Sequence, residues 1–501
     1  MNNWARFWGG LFMFGLLLGY SCQRPDDFTT NPEDSLEFSL DTLRFDTVFT
    51  SLGSATRSVK VYNRANKAIR ISSISVASGA ASKFRLNVDG IPGNEATDVE
   101  ILANDSIYVF GEVTINPDEP LSSSPFVIQD ELIFETNGNT QSVMLEAWGQ
   151  NANYIPSRFG KGGVALLSCD LNEVVWDDPK PYVIYGVLVI DSCTLRIPAG
   201  TQIYVHGGIA RTFDENEDLV VYNDGLIFAL PQGKLQVEGT LEDPVVFQGD
   251  RLEEPFGEVP GQWVGIRLSS QGNSFEYAEV KNSLLGILVD SSAQLSLQNT
   301  QIYNTSGPGL VGQHASIDAT NCLFYNNGSF SVQLGYGGDY TFDYCTLASF
   351  GVDAPALSLS NGICYDPLCQ SFDIYRLNAA FRNSIVYGSR RDEISLSDFT
   401  AGMDPGSFNI SLENCLVRVD ELLDIDEGGY PDFLLDQCSP CINAGSSDAV
   451  FADADEDDYQ LDTLSLAEGQ ALPINGILKD LIENDRDSQT PDIGCFEYQY
   501  E

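Results

Sequence analysis

A four-residue phrase recurs six times in the C-terminal two-thirds of this chain. It reads Tyr277-Ala278-Glu279-Val280, Asn299-Thr300-Gln301-Ile302, Asn321-Cys322-Leu323-Phe324, Tyr344-Cys345-Thr346-Leu347, Asn383-Ser384-Ile385-Val386 and Asn414-Cys415-Leu416-Val417. Each copy is a polar or aromatic residue, a small one, a variable one and a large apolar one. Ala278, Thr300, Cys322 and Cys345 follow one another at intervals of 22, 22 and 23 residues. A period of this size marks a solenoid, whose units cannot bury an apolar face alone and must stack. The residues between the phrases are β-branched and aromatic with Gly and Asn turns, and no helical period appears. The expected fold is therefore all-β: a right-handed parallel β-helix over 153–430.

The extreme N-terminus stands apart. Arg6 precedes a short apolar run that ends in small residues, which reads as a secretory signal over 1–22. Leu18-Gly19-Tyr20-Ser21-Cys22 resembles a bacterial lipobox, which makes Cys22 the expected lipidated residue. The following Gln23-Arg24-Pro25-Asp26-Asp27 is similar to the acidic tag that sends lipoproteins of the Bacteroidota to the outer face of the outer membrane. Residues 23–35 are polar, carry two prolines and read as a tether.

The formal net charge is −46, from 26 Lys and Arg against 72 Asp and Glu. Such a chain repels nucleic acid and anionic headgroups, so neither is an expected partner. An anionic polysaccharide is also repelled unless metal ions bridge it. Hydrophobic residues make up 43%, enough for a substantial core.

Residues 36–152 lack the solenoid period and show short alternating strands separated by turn signals. They predict an antiparallel β-sandwich, acting as a spacer or a docking module. This part resembles in pattern the immunoglobulin-like modules that precede β-helices in Bacteroidota lipoproteins, which implies an immunoglobulin-like β-sandwich. Further on, Thr194-Leu195-Arg196-Ile197-Pro198-Ala199-Gly200-Thr201 is echoed by Lys234-Leu235-Gln236-Val237-Glu238-Gly239-Thr240. Together with Gly261-Gln262-Trp263-Val264-Gly265-Ile266 this passage resembles many secreted bacterial β-helix proteins.

The one large break in the repeat is the step of 39 residues from Cys345 to Ser384. The insert, 351–377, carries Tyr365, Phe372 and Tyr375. These rings either stack on sugar faces or pack against the flank of the solenoid. Cys364 and Cys369 flank a tight loop and form an expected local disulfide. Cys169 and Cys193 can pair near the start of the solenoid. Cys322 and Cys345 occupy the same small slot in successive coils, where parallel side chains favour free thiols.

Over 431–501, Cys438-Ser439-Pro440-Cys441-Ile442-Asn443-Ala444-Gly445 and Pro491-Asp492-Ile493-Gly494-Cys495-Phe496-Glu497-Tyr498 are similar to the two halves of the choice-of-anchor Q domain. That family ends many bacterial β-helix proteins, which implies a C-terminal cap here. The family pattern has Ala where this chain has Cys441 and Cys495. The paired departure implies a disulfide between them, closing a loop of roughly 50 residues and contributing about 3–4 kcal/mol.

Chemistry is sparse. Asp366, Asp373, Arg376, Arg382, Arg390, Arg391, Asp392 and Glu393 cluster in and after the insert, but no spacing singles out an acid–base pair. The two histidines, His206 and His314, leave little scope for a His-based site. No phosphate loop, nucleophile elbow or zinc spacing is present. Asp453, Asp455 and Asp457 alternate as in the first half of a calcium loop, without its turn Gly and distal Glu. Calcium is thus the one cofactor to test, against a solvated acidic loop; otherwise none is expected. The expected role is non-catalytic binding or structure at the cell surface, with a glycan or protein partner. The alternatives are a β-helix polysaccharide lyase or hydrolase, and an accessory subunit of an outer-membrane complex.

Overall fold

The structure is a computed structural model that describes residues 28–49, 56–113, 126–150, 152–155, 163–169, 172–213, 219–252, 256–366, 368–425 and 429–499. Cys22 and its acidic neighbours lie outside these residues. The chain divides into two compact units, Met1–Asn151 and Ala152–Glu501.

The first unit is a sandwich of two five-stranded sheets. One holds Leu36–Phe38, Arg57–Asn63, Ser106–Val113, Phe84–Val88 and Ile91–Pro92. The other holds Thr42–Phe49, Asn139–Gln150, Phe126–Thr136, Ile69–Val76 and Glu95–Ile101. Strict alternation sends Val59, Val61, Ile71, Phe84, Val109, Phe134 and Leu145 into the shared core.

The second unit is a parallel β-helix. One side is an eleven-stranded, wholly parallel sheet running from Asn153–Ile155 to Cys441–Asn443. The other two sides form one sixteen-stranded sheet, because Leu310–Thr320 and Val332–Asp343 run through both. The bend between those sides falls at His314 (φ 54°) and at Tyr336 (φ 63°) with Gly337 (φ 75°). Tyr340 stitches it from inside: its hydroxyl donates to Gly337 O (2.8 Å) and accepts from Ala315 N–H (3.3 Å).

The recurring phrase is a corner. Its first residues, Tyr277, Asn299, Asn321, Tyr344, Asn383 and Asn414, all have φ between 44° and 52°. Asn accepts that left-handed conformation more readily than most residues. The second residue turns inward and is buried in every copy. Its hydroxyl or thiol donates to the carbonyl two residues back: Thr300 to Gln298 (3.0 Å), Ser384 to Arg382 (3.0 Å), Cys322 to Thr320 (3.3 Å) and Cys345 to Asp343 (3.5 Å). The slot therefore selects small side chains, with a donor in every copy but Ala278, and Cys322, Cys345 and Cys415 are free buried thiols.

The structure pairs Cys169 with Cys193 and Cys364 with Cys369. It does not pair Cys441 with Cys495: Cys441 is bonded to Cys438, and Cys495 is a free buried thiol. The reason is the height of each in the stack. Cys441 lies on the last rung, opposite Cys415, whereas Cys495 N–H donates to Thr346 Oγ1 (3.1 Å). Thr346 is three rungs earlier, through Ile385, Leu416 and Ile442. Three rungs amount to about 14 Å, beyond the ~7 Å Cα limit for a disulfide.

The final segment also differs from an end cap. Leu422, Phe433 and Cys438 close the last coil. The chain after Gly445 instead runs back along the flank, packing Phe451, Tyr459, Leu481, Ile493 and Phe496 onto Leu323, Tyr344, Ile385 and Leu416.

Candidate ligand groove

On a β-helix, alternate residues of every strand point outward, so outward positions on successive coils form columns about 4.8 Å apart per step. On the second side of the sixteen-stranded sheet one column reads Gln294, Ser316, Asp339, Asn378, Asn409. Its neighbour reads Ser296, Asp318, Thr341, Ala380, Ser411. The small residues lower the floor, and Asp398, Gly402 and Pro405 from the following loop complete the lining with Tyr430 and Gln437. The result is a groove of about 670 Å³. Asn378 Nδ2 donates to Asp339 Oδ1 (2.6 Å), and Asn409 Nδ2 donates to Asn378 Oδ1 (2.9 Å). These bonds orient the floor amides. None of the residues lining the groove is Lys, Arg or His.

Burial opposes ionisation of Asp398. The hydroxyl and N–H of Thr400, Gly402 N–H and the Asn361 amide outweigh it and hold this carboxyl below the usual range. This part of the lining is thus a fixed negative charge.

The insert forms a hairpin, Gly362–Cys364 with Phe372–Ile374, closed by the Cys364–Cys369 bond. Both of its roots touch the groove. Asn361 donates to Asp398 (2.8 Å), and Arg376 Nη2 lies 3.8 Å from Asp339 on the floor. Tyr365 is 58% and Phe372 46% exposed. The Tyr365 hydroxyl donates to Asp373 Oδ2 (2.7 Å), which limits where its ring can swing. Tyr375 does the opposite: it is half-buried, its ring 4.6 Å from His314. The expected trio therefore divides into two outward rings and one packed on the flank.

The expected charged cluster does not converge. Arg382 is paired with Asp343 through two bonds (2.6 and 2.5 Å), Arg390 with Asp353, and Arg391 with Asp420 (2.8 Å) and Glu421. Asp366 accepts three loop N–H groups, which hold it low. Asp392 accepts from Asp420 N–H (2.7 Å) and Leu422 N–H (3.1 Å). Glu393 is fully buried and accepts from Arg390 N–H (2.7 Å) and Ala356 N–H (2.9 Å). Burial pushes its carboxyl up to about 7. These groups brace turns.

The alternating carboxylates have local duties as well. Asp453 accepts from Asp455 N–H (3.2 Å), and Asp457 accepts from Asn326 Nδ2 (2.6 Å). Among the described residues no three His, Cys, Asp or Glu side chains are placed to hold a metal ion. Asp318, Asp339, Asn378 and Asn409, which make the groove, were not singled out from sequence. Their one signal is the period-2 alternation of their strands, which any solvated strand shares.

Residues 264–417 match the family described as the right handed beta helix region. The match covers the coils that carry the groove and the hairpin. No curated protein matches the chain. Among solved structures, a family 28 exopolygalacturonase from Yersinia enterocolitica is 11% identical over 76% of this chain and 85% of that one, with a TM-score of 0.25. The catalytic unit of a GH87 alpha-1,3-glucanase from Streptomyces thermodiastaticus is 10% identical over 72% of each, at 0.23. A protein of unknown function from Porphyromonas gingivalis is 13% identical over 40% and 66%, at 0.18. Likeness this distant carries no functional argument. No helix among the described residues is long and apolar enough to cross a membrane.

Proposed function

We propose that this β-helix binds an uncharged glycan without cleaving it, with the polymer lying along the coil stack. One observation carries the reading: a groove lined by carboxylates, amides and hydroxyls, with Arg376 at its edge as the neighbouring cation, rooted to a stapled hairpin that exposes Tyr365 and Phe372. Carboxylate and amide groups can hold sugar hydroxyls in pairs, and flat rings cover sugar faces. A uronate polymer would meet three carboxylates, Asp318, Asp339 and Asp398, against one neighbouring cation, Arg376, which already lies 3.8 Å from Asp339. We place the protein on the outer face of the outer membrane, held by lipid on Cys22, which suits a surface glycan receptor.

Affinity electrophoresis against dextran, galactomannan and laminarin tests this. Retardation by at least one polymer, weakened in Tyr365→Ala and in Asp318→Asn, is expected. Unchanged mobility across the panel would remove the reading.

A hydrolase is favoured by one feature. Asp318 and Asp339 stand diagonally on neighbouring rungs of one face, so their Cα atoms are roughly 8 Å apart, and side chains pointing the same way can bring their carboxyl groups to the separation of an inverting pair. Release of reducing ends from a polymer, lost in Asp318→Asn, would replace binding by hydrolysis.

A further inference from the structure

A second concavity lies across the hairpin from the groove. Its floor is the other side of the same sixteen-stranded sheet, and it holds about 340 Å³. Strands Leu310–Thr320 and Val332–Asp343 pass beneath both depressions, bending at His314 and Tyr336. The two are therefore fixed to one rigid platform.

The chemistry here is different. The groove carries three carboxylates, whereas no residue lining this pocket is charged. Its polar side chains are Gln313, Gln333, Tyr336, Ser358, Ser360 and Ser397, on neighbouring rungs. Gln313, Gln333, Ser358 and Ser397 have no side-chain hydrogen-bond partner among the described residues, whereas the Ser360 hydroxyl donates to Gly362 O (3.1 Å). In the groove, by contrast, part of the floor is bonded internally, in the chain from Asn409 through Asn378 to Asp339. Four uncommitted neutral groups within one recess can donate and accept at once.

One wall is aromatic and held in place. A Cβ built on Gly362 would meet the Phe399 ring at 2.3 Å, and the Phe372 ring packs 6.0 Å away on the far side. Cys364 of the disulfide-closed hairpin forms part of the rim. A small recess with one flat wall and several neutral hydrogen-bonding groups suits a ligand of one or two rings.

We propose that this pocket is a second, uncharged carbohydrate subsite that takes a neutral sugar unit. It shares the glycan reading given above but uses none of the groove residues. The pocket discriminates against charged sugars, since it offers neither a cation to a uronate nor a carboxylate to an amino sugar.

Gly335 supplies a clean block. It lies on the floor with no atom within 4 Å of a built Cβ, and its backbone is outside the left-handed region. Gly335→Phe therefore fills the recess without strain. Saturation-transfer NMR with the methyl glycosides of glucose, galactose, mannose and N-acetylglucosamine reads binding, with glucuronate and glucosamine as charged controls. At least one neutral glycoside should give transfer, reduced tenfold or more in Gly335→Phe and in Gln333→Leu, and unchanged in Asp318→Asn. Thermal unfolding verifies that each variant folds; if Gly335→Phe does not, Gln333→Leu decides. The proposal is overturned if no neutral glycoside binds, or if Gln333→Leu binds normally. Loss in Asp318→Asn alone would also overturn it while leaving the groove reading intact. Polymer retardation without monosaccharide binding would do the same.

Discussion

Two segments decorate the outside of the coil stack, and they are built in opposite ways. The flank segment after Gly445 buries Phe451, Tyr459, Leu481, Ile493 and Cys495 against the outer face of the eleven-stranded sheet. At its centre Arg486 is paired with Glu497 (3.3 Å), both side chains over 90% buried. Arg486 also donates to Asn321 Oδ1 (2.9 Å) and Gly494 O (3.0 Å) and lies over the Tyr344 ring at 3.9 Å. The insert hairpin instead leaves Tyr365, Leu368, Phe372 and Ile374 facing water. It depends on a disulfide and on its two roots. A segment that serves stability buries its apolar side chains and satisfies its charges. One that serves recognition leaves rings outside and holds them by a local staple.

The contrast can be broken most directly at Arg486. Arg486→Ala leaves Glu497 buried without its cation and should cost about 3–5 kcal/mol in urea unfolding. A double variant, Arg486→Met with Glu497→Leu, should recover a good part of that. A loss below about 1 kcal/mol, the level of an exposed pair, would mean that the flank segment contributes little to the solenoid's stability.

Glu393 is next in size. Its carboxyl is raised to about 7 by burial, above its unfolded value of ~4.3. The folded protein therefore keeps a proton that the unfolded chain releases. This contribution is fully present below about pH 4.3 and is lost as pH rises to about 7, a change of roughly 3 kcal/mol. The stability of the native protein should fall relative to Glu393→Gln across that window and run parallel above it. Parallel curves throughout would show that Glu393 is ionised in the fold.

The hairpin should respond in the other currency. Tyr365→Ala should weaken glycan binding by about fivefold, near 1 kcal/mol for one stacked ring, and leave thermal unfolding unchanged. A loss of stability equal to that of a core variant would erase the distinction between the two segments. The smallest effect belongs to the corner slot. Ser384→Ala removes a buried donor to Arg382 O and should cost roughly 0.5–1.5 kcal/mol, while Cys345→Ser, which keeps a donor, should be nearly neutral.

The solenoid was legible because a corner that repeats must be specified anew in every coil. The phrase from Tyr277 to Val417 records that requirement, and the break after Cys345 locates the hairpin. The disulfide at Cys441 was not legible, since a motif match carries no count of rungs. The groove was missed for a related reason. Its walls and floor come from Ser316 to Gln437, and on each strand the contributing residues look like an ordinary wetted face.

By itself the sequence determined the coil and its corners, because the left-handed Asn or Tyr and the small residue after it are local requirements met within four residues. Tertiary structure alone decided which outward residues share a surface, which cysteines lie at the same height, and that the last segment doubles back along the flank. Those outcomes depend on stacking residues distant in sequence at intervals of about 4.8 Å. No local preference records them.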